Sequence, residues 1–369
     1  MSQTLAPRER FSAIMNFQPF DRLPVWYFGY WDETIARWKN EGLADANLIE
    51  KETGMDPDWE KGMWNTHGLT DYKMLVPPGE KLDVVIEETD ESITKKNVFG
   101  GVTQHSKKFS SLPHNLEAAT LNRETWKIYK RFFNADDPVR RPVGWQEKAK
   151  QINARTHATA FFAGSLYGQM RGFLGLEGIS YLCYDDPELF EEVIEYHADF
   201  FMKVNGPILE QTQFEFGYIF EDCCGKNGPL FSPDVYKKYY DKYYRRLISF
   251  YRSKGVEHIL LDSDGKVDDL IPLWLNSGVD ILFPVEIGTW QADPVALRKQ
   301  YGKNLKIMGG FDKNLIPKGE AAIRKQLEYL KPLVQEGGFV PFPDHRIPPD
   351  CSLADFKKYV EVFKNVFNA

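Results

Sequence analysis

A chain of 369 residues with 46 Lys+Arg against 53 Asp+Glu carries a formal net charge of −7. That charge argues against a nucleic-acid backbone as main partner, which needs a concentrated positive field. Hydrophobic residues at 43% and charged residues at 27% fit a globule with a sizeable core and exclude large-scale disorder.

The first twenty residues, MSQTLAPRERFSAIMNFQPF, lack a basic-then-apolar signal pattern. No apolar run approaches the roughly 20 residues that span a bilayer. The four cysteines, Cys183, Cys223, Cys224 and Cys351, form no C-x-x-C pair and imply a reduced compartment. The expectation is a cytoplasmic protein. Aromatics are the unusual class, at 14% with 26 Phe, 18 Tyr and 9 Trp.

Short β-rich runs alternate with helical segments. The first run is Leu23–Gly29. Residues 56–142 then break the rhythm, and Lys81–Phe109 within them reads as an antiparallel meander turning at Phe99-Gly100-Gly101. This stretch is expected to be an insertion after the first strand, forming a lid or wall. Further runs follow at Ala158–Gly164, Phe214–Asp222, Glu257–Gly265, Val279–Glu286, Leu305–Asp312 and Gly338–His345. Most are continuously apolar, as parallel strands buried on both faces are. Between them, Pro187–Val204 follows an acidic cap, and Asp234–Arg252 carries a tyrosine-rich face. Glu320–Val334 contains Pro332, which predicts a kink or an end there. The alternation predicts an α/β fold, a single (β/α)₈ TIM barrel domain over residues 1–369. No G-x-G-x-x-G follows the first strand, which lowers a dinucleotide site.

Active sites of such barrels lie at the strand C-termini. Here the strands end in Glu221-Asp222, Asp262-Ser263-Asp264, Glu286, Asp312 and Asp344-His345. Taken singly, each acid reads as a cap for the following helix. Taken together, they need a cation, a cationic substrate or raised pKa values. Asp262 and Asp264 share a face while the chain stays extended, so both can address one cation. His345 sits in a proline-rich loop with Pro343, Pro348 and Pro349. Tyr167 could hydrogen-bond a substrate oxygen, and Arg171 could bind a carboxylate. Tyr27, Tyr30 and Trp31 could pack on a flat ligand. Cys223 and Cys224 could be soft ligands, although buried cysteine is usually only a small apolar residue. His67, His105 and His114 could approach from the insertion, though a surface or packing role suits them better.

The segments PRERFSAIMNFQPFDRLPVW, KNGPLFSPDVYKKYY, LLDSDGKVDDLIPLWLNSGVD, IMGGFDKNLI and EGGFVPFPDHRIPPDCSLADFKKYVE together resemble the uroporphyrinogen decarboxylase superfamily. The resemblance covers nearly the whole chain, with residues 56–142 the least typical. It implies the barrel, a cleft at its C-terminal face and a homodimer. The superfamily holds porphyrinogen decarboxylases as well as zinc-dependent methyltransferases serving corrinoid proteins or thiols. The decarboxylases carry an R-Q-A-G-R-Y motif after the first strand. Here the matching stretch, Trp26 to Trp31, has no arginine. A polyanionic tetrapyrrole would meet aromatics and acids there, and like charges repel.

The family's late histidine matches His345, and its mid-chain tyrosine matches Tyr167. The zinc-binding H-x-C pair of the methyltransferases falls on Asp262 and Asp264, and their later cysteine on His345. An oxygen and nitrogen set still holds Zn²⁺ and accepts other divalent ions. It suits polarisation of an ether or hydroxyl oxygen. The resemblance therefore implies a methyltransferase moving a methyl group from a small, methoxylated-aromatic type of donor to a corrinoid on a partner protein. Asp262, Asp264, His345 and Glu221 are the expected metal ligands. Tyr167, His345 and Asp222 are the expected catalytic residues. Tyr27, Tyr30, Trp31, Arg171 and Glu286 are the expected substrate contacts. The alternative is a metal-independent decarboxylase in which Asp222 or Asp264 stabilises a cation and His345 moves a proton. A non-catalytic binding protein on an enzyme scaffold is the third reading.

Overall fold

The computed structural model describes residues 4–57, 68–108 and 113–369. His67 lies outside the described residues. The insertion contains four antiparallel strands in chain order, β1 (Asp83–Glu88), β2 (Ser92–Asn97), β3 (Val102–Ser106) and β4 (His114–Glu117). Asn97 closes the expected Phe99-Gly100-Gly101 turn, where Gly100 takes φ +87°. The remaining strands are β5 (Ala160–Gly164), β6 (Phe216–Phe220), the two-residue pair β7 (Cys224–Gly225) and β8 (Gly228–Pro229), β9 (His258–Asp262), β10 (Ile281–Val285), β11 (Lys306–Phe311) and β12 (Phe339–Pro343).

Six of these form one parallel sheet in the order β12-β11-β10-β9-β6-β5. Their apolar runs are buried almost throughout, because helices cover one face and side chains fill the other. The register aligns Phe220 with Asp262 and Asp262 with Phe283. The C-terminal ends of β6, β9 and β10 are therefore level, and the acids that follow them stand side by side.

The first run behaves differently. Leu23–Gly29 is extended but joins no ladder among the described residues. Pro24 has no N–H to give one. Instead, Asp56 accepts the Val25 N–H at 2.8 Å and its own N–H returns to the Val25 carbonyl. At the far end a single parallel bridge joins Tyr30 to Ile347, just beyond β12.

Helices differ from expectation in two instructive places. The tyrosine segment is not one α-helix. A short turn at Pro233–Val235 leads into a π-helical turn at Tyr236–Tyr240, then an α-helix at Asp241–Ser253. Tyr239-Tyr240 and Tyr243-Tyr244 are adjacent pairs, and all four side chains are buried. The wider turn lets both members of a pair reach the core, and Tyr236 stacks on Tyr240 and Tyr244. The helix at Glu320–Glu336 runs on through Pro332. Pro332 and Glu328, whose carbonyl loses its partner, are exposed to water, while Leu333 and Val334 anchor the buried side.

The insertion packs on the outside of the sheet. Asn97 bonds the Phe173 carbonyl at 3.1 Å, and Phe99 packs on Phe173 in the helix Gly168–Asp185. His105 bonds Thr103 and His114 is exposed on β4. The insertion's Tyr129 meets His197, whose pKa burial pushes down to about 3. Among the described residues, no helix is long and apolar enough to cross a membrane.

Asp280, before β10, ties the lower end of the sheet. It takes His258 Nδ1 at 2.8 Å, Lys306 Nζ at 3.0 Å and the Ile259 N–H at 2.6 Å. Burial pushes its pKa up, but His258, Lys306 and Arg252 outweigh that and lower it. Replacing Asp280 with Asn should cost about 3 kcal/mol at neutral pH. A depressed carboxylate contributes above its ordinary value, near pH ~4, and loses its contribution as pH falls through the folded value. The gap in stability between wild type and Asp280→Asn, read by chemical denaturation, should therefore shrink below about pH 4.

Candidate active site

Each strand-end acid faces the same problem. A buried carboxylate is tolerable only if donors surround it. Glu221 solves it with backbone. It accepts the N–H groups of Leu166, Tyr167 and Gly168 at 2.7 to 2.8 Å, and the Tyr244 hydroxyl as well. Burial still raises its pKa, with those four donors pulling the other way. Asp344 is buried and takes the N–H groups of Ile287, Gly288 and Lys313. Asp312 caps the next turn by accepting the Asn314 N–H at 2.9 Å. These three acids organise loops.

Asp262 is buried and accepts the Tyr218 hydroxyl. Burial pushes its pKa well up, and the nearby Asp264 charge adds to that. Beyond it the chain turns at Gly265, where φ is +85° and a Cβ would lie 2.7 Å from the Cys224 carbonyl oxygen. Only glycine fits there. The Gly265 N–H donates to Glu286 Oε2 at 2.7 Å, and Thr289 donates to Oε1 at 3.0 Å. Burial raises the Glu286 pKa, partly offset by the Gly265 N–H. The turn thus binds the Asp264 segment to Glu286.

His345 completes the group. Its Nε2 lies 3.1 Å from Asp264 Oδ2. Ligand atoms of Asp264, Glu286 and His345 all fall within 4.8 Å of one another. The other Asp264 oxygen, Oδ1, is buried and has no hydrogen-bond partner. Two carboxylates and an imidazole with a spare oxygen aimed inward form a donor set that fits a divalent cation. This set differs from the expected one. Glu286 stands with Asp264 and His345, whereas Glu221 is occupied by four donors and Asp262 is set behind with Tyr218.

A cleft of about 900 Å³ opens beside the cluster. Asp222, Asp262, Asp264 and His345 line it together with Tyr27, Phe28, Tyr30 and Trp31. Tyr27 stacks on Tyr30 at 4.7 Å and bonds Glu50. Phe28 stacks on the His345 ring at 4.7 Å and also on Phe283 of β10. The remaining wall comes from Ile35, Ala46, Asn47 and Ile49. No described residue of 56–142 is among those lining this cleft.

Three expected residues stand elsewhere or are occupied. Tyr167 turns its ring onto Phe231, in a separate small cavity with Tyr240. Its backbone N–H serves Glu221. Arg171 forms an ion pair with Asp222, so each partly neutralises the other. Asp222 holds a left-handed backbone, φ +42°. Cys223 is buried, and burial raises its thiol pKa. A protonated thiol is a poor metal ligand.

Comparisons with known proteins bear on this geometry. The family model described as uroporphyrinogen decarboxylase (URO-D) matches residues 150–366. That stretch carries all six parallel strands and the Asp264–Glu286–His345 cluster. The chain belongs to the uroporphyrinogen decarboxylase family. Among solved structures, a methyltransferase from Methanosarcina mazei is similar over 98% of this chain and 99% of its own, with TM-score 0.54 and 13% sequence identity. At that identity the likeness is one of fold. No curated protein matches the sequence.

In this URO-D family member, Phe28 and Arg346 are among the cleft residues that escaped sequence reasoning. Phe28 lies within the aromatic stretch, but no motif distinguishes it from its neighbours. Arg346 follows His345 directly, and that adjacency was the available signal. Glu286 was legible as a strand-end acid but not as a partner of Asp264.

The two roles of the acids separate experimentally. Glu221→Ala strands three buried N–H groups and should lower stability by about 3 kcal/mol or more. It should leave the metal content of the surviving folded protein unchanged. Thermal unfolding and elemental analysis of the same preparation check both halves.

Proposed function

We propose that this URO-D family protein is a metal-dependent methyltransferase taking a methyl group from a small, flat, oxygen-linked donor. The acceptor is a corrinoid carried by a partner protein. The observation that carries the reading is the Asp264–Glu286–His345 cluster, with its unpartnered buried oxygen, at the side of an aromatic-walled cleft. The fold likeness to a methyltransferase supports it. A second part of the proposal concerns architecture. Leu23–Gly29 serves as the strand that carries the six-stranded sheet towards a closed (β/α)₈ barrel. The Tyr30–Ile347 bridge and the stacking of Phe28 on Phe283 support that.

Asp264, Glu286 and His345 would hold a divalent ion, Zn²⁺ or a harder one. Such an ion supplies Lewis-acid polarisation of the donor oxygen. Phe28, Tyr30 and Trp31 bind the flat body of the donor and exclude water from it. The Gly265 N–H and the Thr289 hydroxyl orient Glu286, and the Phe28 ring orients His345. In the transfer, the methyl C–O bond breaks with its electron pair left on the donor oxygen. The new bond to the methyl carbon uses the acceptor's electron pair. A porphyrinogen-type substrate fits this cleft poorly, because its several carboxylates would face Asp222, Asp262 and Asp264.

Elemental analysis of the purified protein should find one divalent ion per chain. Asp264→Ala, Glu286→Ala and His345→Ala should each lower it, together with methyl transfer from a methoxyarene to reduced cobalamin. Unchanged metal content in all three variants refutes the reading. Gly265→Ala should act at one remove. By displacing Asp264 from Glu286 it should weaken metal affinity about 10- to 100-fold, measured by competition with a chelator.

A further inference from the structure

Arg346 is the one lysine or arginine among the described residues that line the cleft. The residue that follows it, Ile347, is tied to the first strand run by two backbone hydrogen bonds. The Ile347 N–H donates to the Gly29 carbonyl at 2.9 Å, and the Trp31 N–H to the Ile347 carbonyl at 3.5 Å. The Arg346 stem passes Gly29, where an added Cβ would lie 3.6 Å from Cγ. Its guanidinium lies over the Trp31 ring, 5.3 Å from the centroid, and one N–H donates to the Tyr30 carbonyl at 3.1 Å. No carboxylate among the described residues, Asp32 at the cleft rim included, pairs with it. Its neighbours in charge are otherwise accounted for. Arg171 holds Asp222, and Lys313 holds Asp344. A guanidinium offers five donors in a planar fork, and here one is used. An arginine held to a backbone carbonyl, laid on an aromatic ring and lacking an acid partner among the described residues is arranged to receive a carboxylate side-on.

We propose that Arg346 is a specificity-determining residue that binds the carboxylate of a flat, singly charged aryl carboxylate. The ring of that ligand lies along the aromatic wall, and its other end faces the Asp264–Glu286–His345 cluster. Trp31 links the two ends. Its ring centroid lies 6.1 Å from the His345 ring and 5.3 Å from the Arg346 guanidinium, so both groups are within reach of one ring bound along this wall. The single cation sets the charge of the ligand. It balances one carboxylate, and a second would find no further lysine or arginine among the described lining residues. The proposal leans on the methyltransferase reading only for the oxygen-linked methyl group at the far end. The anion site stands on Arg346 and its surroundings.

Titration calorimetry with 4-methoxybenzoate and its neutral amide, 4-methoxybenzamide, tests it on the full chain with its metal as purified. Wild type should bind the benzoate more tightly than the amide. Arg346→Met keeps the stem and removes the charge. It should weaken benzoate binding roughly 10- to 100-fold and leave the amide nearly unchanged. Arg346→Lys should recover part of the loss, because it restores charge without the fork. Equal affinity of wild type for benzoate and amide, absence of binding of both, or an unchanged preference in Arg346→Met overturns the assignment. Binding is read without turnover, so failure of methyl transfer tells against the proposed reaction and not against the anion site. Asp264→Ala separates them further, since it should lose metal and keep the benzoate preference.

Discussion

Buried carboxylates must find donors, and that requirement organises the C-terminal side of this sheet. Level strand ends bring Glu221, Asp262, Asp264, Glu286 and Asp344 into one neighbourhood. Left as bare charges, they would repel one another and oppose folding. Backbone N–H groups, Tyr218, Tyr244 and Thr289 satisfy most of them. Glu221 pulls the loop before the Gly168–Asp185 helix into place, and Asp344 does the same for the turn after β10. One oxygen, Asp264 Oδ1, is left over in a buried position. That unsatisfied oxygen is the observation on which the proposed cation site rests.

The aromatic excess has two separate physical roles. Around Tyr236–Tyr244 it is packing, dense enough to widen a helix by a π-turn so that paired tyrosines reach the core. Along Phe28–Trp31 it is half-buried and lines the cleft, with Tyr27 buried behind. The second group also supports charge. Phe28 backs the His345 imidazole and Trp31 underlies the Arg346 guanidinium. The imidazole and the guanidinium of the cleft therefore both rest against aromatic rings, and a ring face favours the guanidinium's positive charge.

The six parallel strands were legible because each is an unbroken apolar run bounded by glycine or charge. Leu23–Gly29 shares that pattern, yet it lies without a ladder. Periodicity reports burial and not pairing, and Pro24 removes a donor. The aromatic wall and His345 were legible from their place after strands. Glu221 and Glu286 were not separable by such reasoning. Both follow a buried strand, and both are acids. Only the donors nearby decide that one holds a loop and the other joins Asp264. Tyr167 was expected at the cleft from its place after a strand and from resemblance, but its ring packs on Phe231 while its N–H serves Glu221.

By itself the sequence determined the α/β class, the order of the strands and the concentration of acids at their ends, because burial and turn chemistry are local properties. It also determined that aromatics stand where the decarboxylases carry arginines. The tertiary structure alone decided which acid is spent and which is free, since three of the four donors to Glu221 come from residues more than fifty positions away. It decided too that Arg346 has no carboxylate partner among the described residues while Arg171 has one. Hydrogen-bond satisfaction is a property of three-dimensional neighbourhoods, and here it is what separates a structural acid from a candidate ligand.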